Sequence, residues 1–553
     1  MSTSIVSEPS GFELPQSQLN VIKWNIYFGF ALLAIGVIMG LGQALGYARV
    51  NVEQYYPVVH SYYQGLTIHG VLNALVLPTA FANGFLALTT ARGLGRKLND
   101  ALLRAAFWTL VIGSLMAAYA MLAGKASVLY TFYPPLEADW TFYLGLALVV
   151  ISTWLISAAQ LFALRAWRRD HPGERVPLLA FMSIATYVMW DIASVGLAVE
   201  VVVFLLPWSL GWLPGADPML DRTLFWFTGH PIVYYWLLPI YVSWYGLIPR
   251  QAGGVLFSDT LTRVAFLLFI LLVPVGFHHQ FVDPGISGKL KFAVAGVTFA
   301  IFFPSLMTAF SVMYALEIGG RRRGGKGLIG WFFTIPWSDP SVAAQVLAMI
   351  AFLLGGISGL MNASYTMNME IHNTAFVPGH FHLTIGCAVA LSYMGIAYWL
   401  IPYFERRELW SRRLALFQAF LYFGGVMTFS RGLMAGGMEG MPRRTDMVHA
   451  TYDMAGWRIP GIMTGIGGTL MFTAAMLFFF ILVMTKFAGS KIQQSDLPVT
   501  ATVQSPSVIG WQPRLDRFGY WTLASVILVV AIYGPFILGH FPPRLTTAGL
   551  LYP

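Results

Sequence analysis

Val377-Pro378-Gly379-His380-Phe381-His382-Leu383-Thr384-Ile385-Gly386 opens an apolar run centred near residue 388. At about 20 residues or more, the run is long enough to cross a hydrocarbon core of roughly 30 Å as a helix. Ionisable rings inside such a run are costly in lipid, and that cost marks function more often than packing. At roughly 100° per residue, positions 380 and 382 point to nearly opposite faces, so one helix can serve two different centres.

Runs of the same kind recur from Trp24 to His540. About 13 spans are expected, centred near residues 34, 77, 113, 150, 192, 236, 269, 302, 352, 388, 425, 472 and 530. Of 553 residues, 57% are hydrophobic and only 10% charged, too few polar groups to cover a set of water-soluble domains. The fold class that follows is an all-α polytopic membrane protein, a bundle of about 13 transmembrane helices. The single cysteine, Cys387, lies in an apolar run, which excludes a disulfide framework and cysteine-bound zinc or iron–sulfur clusters. Any metal must lean on histidine.

The first apolar run is too long for the core of a cleavable signal and reads as a retained span. The net charge of +9 points here to basic loops on one face of a membrane rather than to nucleic acid. About 23 of the 33 Lys and Arg fall in alternate loops, among them Arg165, Arg168, Arg169 and Arg175, and Arg321, Arg322, Arg323 and Lys326. That asymmetry puts the N-terminus in the cytoplasm and, with an odd number of spans, the C-terminus outside. The expected organisation is a cytoplasmic tail over 1–20 and a catalytic bundle of about 12 spans over 21–487. A polar cytoplasmic linker follows over 488–517, then a last span and short outer C-terminus over 518–553. No repeat of fixed period is present, so an inverted-repeat transporter using histidines as proton relays finds no support.

Seven of the 11 histidines lie in or near the ends of apolar runs: His69, His230, His278, His279, His372, His380 and His382. His278 and His279 are adjacent, near a helix end loosened by Pro274 and Gly276, and suit two ligands of one metal. In Gly229-His230-Pro231-Ile232-Val233-Tyr234, His230 and Tyr234 share a helix face. Three neutral imidazoles without thiolate or carboxylate suit copper, with zinc or iron open on ligand type alone. Heme iron takes one or two axial ligands, so six imidazoles divide as two, one and three: a low-spin heme, a heme with an open position, and a copper.

With these residues the sequence resembles subunit I of the heme–copper oxidase superfamily from about Trp24 to Phe541. The B-type branch, of cytochrome ba-type cytochrome c oxidases, is most similar. Tyr62-Tyr63-Gln64-Gly65-Leu66-Thr67, Leu129-Tyr130-Thr131-Phe132-Tyr133-Pro134-Pro135-Leu136, Pro304-Ser305-Leu306-Met307-Thr308 and His372-Asn373-Thr374-Ala375 carry that likeness. The resemblance implies that His69 and His382 hold a low-spin heme of b type, and His380 a high-spin heme of a type. It assigns His230, His278 and His279 to the copper CuB, and bonds Tyr234 covalently to His230. It implies a proton-translocating terminal oxidase of the respiratory chain in a prokaryotic inner (plasma) membrane, reducing O2 to water. Its partners would be a subunit II with a dinuclear copper centre, cytochrome c upstream, a small single-span subunit and membrane lipid, with no nucleic acid. Splitting O2 in one event takes four electrons, which Fe(II) to Fe(IV), Cu(I) to Cu(II) and oxidation of Tyr234 supply together.

Further roles follow from the same likeness. Arg443, Arg444, His372 and Asn373 are candidates to neutralise or hydrogen-bond heme propionates. Tyr234, Tyr241 and Tyr245, spaced by seven and four, form a helical stripe that Ser305, Thr308 and Ser311 would face as one proton path. The glutamate that A-type relatives carry two residues after the first copper ligand is Ile232 here, and an aspartate common in the B-type pattern is Asn368, with Glu370 the nearest acid. Glu200 and Asp191 in the fifth span need a partner, a proton or a wet cavity. A nitric oxide reductase of the same superfamily, with non-heme iron and a nearby glutamate, is the alternative, and Tyr234 argues against it.

Overall fold

The computed structural model describes residues 5–6, 12–276, 278–283, 286–493, 498, 502–503, 512–541 and 543–545. A helix stands at each of the expected centres. Eleven are long and apolar enough to cross a membrane by length and composition: Gln16–Tyr47, Tyr62–Leu94, Asp100–Leu122, Trp140–Asp170, Leu178–Ser209, Asp259–Gln280, Gly288–Arg322, Pro340–Ala363, Phe376–Glu405, Ala455–Ala488 and Phe518–Gly539. The two others are the sixth span, split into Pro218–Gly229 and Pro231–Gly246, and the eleventh, Arg412–Met438. Pro231 lacks an N–H, so the sixth helix breaks at His230 and restarts. The eleventh is diluted by Gln418, Ser430 and Arg431.

The helices start where short polar side chains supply the missing hydrogen-bond acceptor. Ser61, Asn99, Asp139, Asp217, Ser258, Ser287, Asp339 and Ser411 each cap a helix N-terminus. With no hydrophobic drive between helices in lipid, close backbone approach takes over: a Cβ at Gly467 would lie 2.3 Å from the Phe429 nitrogen where the twelfth span crosses the eleventh.

Three spans loosen into π-helical turns, at Val71–Val76, Glu200–Leu205 and His382–Val389. Such turns shift the register of the side chains that follow, and are frequent at functional sites. Two of them adjoin His69 and His382.

One departure from an all-helical chain is a two-residue antiparallel pairing of Ile5–Val6 with Thr502–Val503. It joins the N-terminal tail to the linker before the last span. Most of that linker, and residues 546–553 of the expected outer terminus, lie outside the described residues. The end of the linker is tied down by Asp516, which accepts from Arg263 and from the Val176 N–H, both at 2.8 Å. Arg263 is buried and also bonds Asp259 and the Val176 carbonyl, so each of its three guanidinium nitrogens has an acceptor.

Candidate metal centre

A cavity of about 240 Å³ opens among the first, second, tenth, eleventh and twelfth spans, walled by side chains such as Leu33, Phe381, Phe429 and Met471. His69 and His382 face each other across it with ring centroids 6.4 Å apart and planes within 11° of parallel. Two imidazole–metal bonds of about 2 Å and the ring radii come to about 6 Å, so the spacing suits one metal held from both sides. The tautomers agree with this. His69 Nδ1 is 2.9 Å from the Gly36 carbonyl and His382 Nδ1 2.7 Å from the Pro378 carbonyl; each gives its N–H to a carbonyl and keeps Nε2 as the free donor atom.

His380 turns to the ninth span, where its Nδ1 lies 2.9 Å from Ser358 Oγ. A Cβ at Gly359 would come within 3.3 Å of its ring.

The third group is His230, His278 and His279, whose ligand atoms all lie within 4.8 Å of one another. The seventh helix proper ends at Leu272, and a 3₁₀ turn over His278–Gln280 turns the adjacent rings to the same side. Trp226 stacks on His279 with centroids 3.8 Å apart. Among the described residues, buried His230 Nε2 and His278 Nδ1 have no hydrogen-bond partner, as expected of atoms kept for a metal or a covalent bond. The Tyr234 ring lies 5.1 Å from that of His230, although the helix is interrupted between them. No carboxylate belongs to the group.

Below Tyr234, two hydroxyl pairs join the sixth and eighth spans. Tyr245 donates to Thr308 Oγ1 at 2.9 Å and Tyr241 to Ser305 Oγ at 3.5 Å. Ser311 is buried one turn further on.

At the opposite end, Arg443 and Arg444 line the first cavity. Arg443 donates to Asn373 Oδ1 at 2.7 Å, and the Arg444 guanidinium sits 5.1 Å over Tyr130. Among the described residues neither is in an ion pair, and Arg443 Nε and Arg444 Nη2 are buried without acceptors. Burial and the neighbouring Arg444 hold the Arg443 guanidinium down to about 10. Such a pair fits an anionic group at the cavity mouth. His372 bonds Asn368 Oδ1 at 3.1 Å and is held down to about 4 by burial and by Arg443, Arg222 and Arg444.

Comparison with known proteins gives the family of the chain. The family profile "Cytochrome C and Quinol oxidase polypeptide I" matches residues 20–470. The chain belongs to that family. Cytochrome c oxidase subunit 1 of Thermus thermophilus is 42% identical over 94% of this chain and 96% of its own length. Quinol oxidase subunit 1 of Sulfolobus acidocaldarius is 26% identical over 70% and 74%. A chain of a heme-copper terminal oxidase dimer solved by cryo-EM superposes with a TM-score of 0.88 at 35% identity, covering 94% of this chain and 92% of that one.

Within this oxidase polypeptide I fold, several site neighbours carry no sequence signal of their own. Ser358 beside His380, Trp226 on His279, and the carbonyl of Gly36 are chosen by helix packing. Helical spacing does expose Asn73, four residues after His69, and the Pro378 carbonyl, four residues before His382. Glu370 is exposed, whereas Asn368 is buried against His372 and the Asn362 carbonyl, so the two side chains have different surroundings. Asp191 has a partner, Ser157, at 2.5 Å. Glu200 is fully buried, and among the described residues neither of its oxygens is hydrogen-bonded.

Proposed function

We propose that the chain is the catalytic subunit of a B-type heme–copper terminal oxidase that reduces O2 to water and couples this to proton translocation. The observation that carries the reading is the buried three-imidazole cluster of His230, His278 and His279 with the Tyr234 ring 5.1 Å from His230. His69 and His382 would hold a low-spin heme of b type, His380 a high-spin heme of a type, and the three-imidazole cluster the copper. The hemes and copper, when bound, supply electron storage and the open coordination at which O2 is reduced.

The chain's own part is to bind, orient and deliver protons. Backbone carbonyls at Gly36 and Pro378 fix the ring tautomers. The apolar walls exclude water, which strengthens every electrostatic interaction inside. Tyr234, its ring 5.1 Å from that of His230, would give a hydrogen atom to reduced oxygen, and a covalent bond to Nε2 of His230 would fix it there. Protons would pass by the hydroxyls of Tyr245, Thr308, Ser311, Tyr241 and Ser305 toward Tyr234, with water filling the wider gaps. Arg443, Arg444, His372 and Asn373 would hold the propionates.

The excess of Lys and Arg in alternate loops supports a cytoplasmic N-terminus and an outer C-terminus in a prokaryotic plasma membrane. The tail over 1–20 and the linker over 488–517 would lie on the cytoplasmic side, which their strand pairing supports. Electrons would come from cytochrome c through a subunit II with dinuclear copper, beside a small single-span subunit. The test is pyridine-hemochrome analysis and copper quantification of the purified protein, with O2 uptake on reduced cytochrome c. Two hemes and one copper per chain in this subunit, with cyanide-sensitive uptake, are expected. A colourless protein, or one with non-heme iron in place of copper, overturns the reading.

A further inference from the structure

Asn73 follows His69 by four residues, where the second span loosens into π-helical turns. Its amide fills a notch in the first span: a Cβ at Gly36 would lie 2.1 Å from Asn73 Oδ1 and 2.7 Å from Nδ2. His69 Nδ1 is 2.9 Å from the Gly36 carbonyl oxygen and 3.2 Å from Asn73 Nδ2. A carbonyl only accepts, so His69 Nδ1 carries the hydrogen. Ligation of a metal through Nε2 requires the same tautomer. The Asn73 NH2 then faces an N–H, donor against donor, while its buried Oδ1 has no partner among the described residues. Turning the amide by 180° exchanges oxygen and nitrogen, which removes the conflict and gives the oxygen its hydrogen bond.

We propose that Asn73 is a positioning residue for His69: its Oδ1 is a second acceptor, beside Gly36, for the His69 Nδ1–H. This rests on the reading of His69 as a ligand of the low-spin heme. An acceptor on Nδ1–H makes the imidazole a stronger donor through Nε2 and favours the oxidised metal. The facing ring, His382, has one acceptor among the described residues, the Pro378 carbonyl. The two sides of the centre are thus held unequally, and Asn73 accounts for the difference.

The experiment is a spectroelectrochemical titration of the low-spin heme in the holoenzyme, with its EPR g values, for Asn73→Leu and Asn73→Asp. Leu keeps the notch filled without an acceptor; Asp keeps an acceptor in place. The Leu variant should show a higher midpoint potential, and the Asp variant one at or below wild type. A Leu variant at the wild-type midpoint, or equal rises in both, overturns the proposal. If the Leu variant assembles no heme, the Asp variant decides alone, and a midpoint above wild type overturns it. His69→Ala is the control for the underlying reading: if it keeps a six-coordinate low-spin spectrum, the ligand assignment falls and this proposal with it.

Discussion

The rings of His69 and His382 lie 6.4 Å apart and 11° from parallel, although 313 positions separate them in the chain and no helix carries both. The three-imidazole cluster is a separate group on the sixth and seventh spans. Ligand loss should therefore be selective. His69→Ala or His382→Ala should abolish the low-spin heme spectrum, whereas His278→Ala should leave it and eliminate copper. Optical spectra with metal quantification check both. A normal low-spin signal in the His382 variant contradicts the division of ligands.

A second expectation concerns space rather than ligation. A Cβ at Gly40 would stand 2.7 Å from both Cε1 and Nδ1 of His69, closer than packed atoms approach. Gly40→Ala should displace the ring and deplete the low-spin heme, with every ligand still present. Overpacking a filled interior typically costs about 1–3 kcal/mol, and the loss should show in the heme-to-protein ratio. A variant with full heme content and unshifted spectrum argues that the ring has room to retreat.

How far the sequence reached is visible in these residues. Long apolar runs fix helices in lipid because the backbone has no other way to pair its polar groups, so the span centres were legible. The histidine types and their local spacing announced the centre. What helix packing decides was not legible: that Gly36 opens the first span to Asn73 and Gly40 opens it to His69, or that Ser358 meets His380. The π-helical turns after His69 and at His382 leave no periodic trace, because one inserted residue looks like any other. Four residues of paired strand, Ile5–Val6 with Thr502–Val503, are too short to read against a polar tail.

The His230–Tyr234 pair predicts a covalent product. Peptide mass analysis of the segment around Gly229-His230-Pro231-Ile232-Val233-Tyr234 should find it lighter by two hydrogen atoms, since joining a ring carbon to His230 Nε2 removes one from each partner. Tyr234→Phe should keep both hemes and lose turnover more than tenfold, above about 1.4 kcal/mol in barrier. An unmodified mass with unaltered O2 reduction would discard the assignment.

Glu53, in the loop after the first span, bears on pH. Burial and the nearby Asp446 push its carboxyl up to about 7, against the opposing pull of His449 and Gln43. Gln43 donates to it at 2.8 Å and lines the cavity with Tyr62. A carboxyl raised in the folded state binds more protons there than when unfolded, so stability falls as pH rises from the unfolded value to about 7, and stays lower above it. Glu53→Gln keeps the hydrogen bond and removes the charge. It should stabilise the protein at pH 8 by on the order of 1 kcal/mol after allowance for solvent screening, and not at pH 4. Thermal denaturation at the two pH values checks this; equal effects at both would locate the change elsewhere.

The hydroxyl pairs of the sixth and eighth spans lead to the last prediction. Tyr245 to Thr308 at 2.9 Å is a direct hydrogen bond, and Tyr241 to Ser305 at 3.5 Å is at its limit. Thr308 also donates to the Pro304 carbonyl at 2.9 Å, so its hydroxyl accepts from one side and donates to the other. That is the connection a relay needs, but also one that simple helix packing would satisfy. The two roles differ in what a substitution changes. Thr308→Val keeps the shape and loses the hydroxyl, and Tyr241→Phe does the same one turn nearer Tyr234. If the seam only packs, both variants should keep turnover and lose at most stability, about 1 kcal/mol per hydrogen bond. If it conducts, heme reoxidation should slow about tenfold in its proton-coupled phases, with initial O2 binding and both heme spectra unchanged. Flow-flash kinetics with a pH indicator separate the phases, and normal proton uptake in both variants excludes this route.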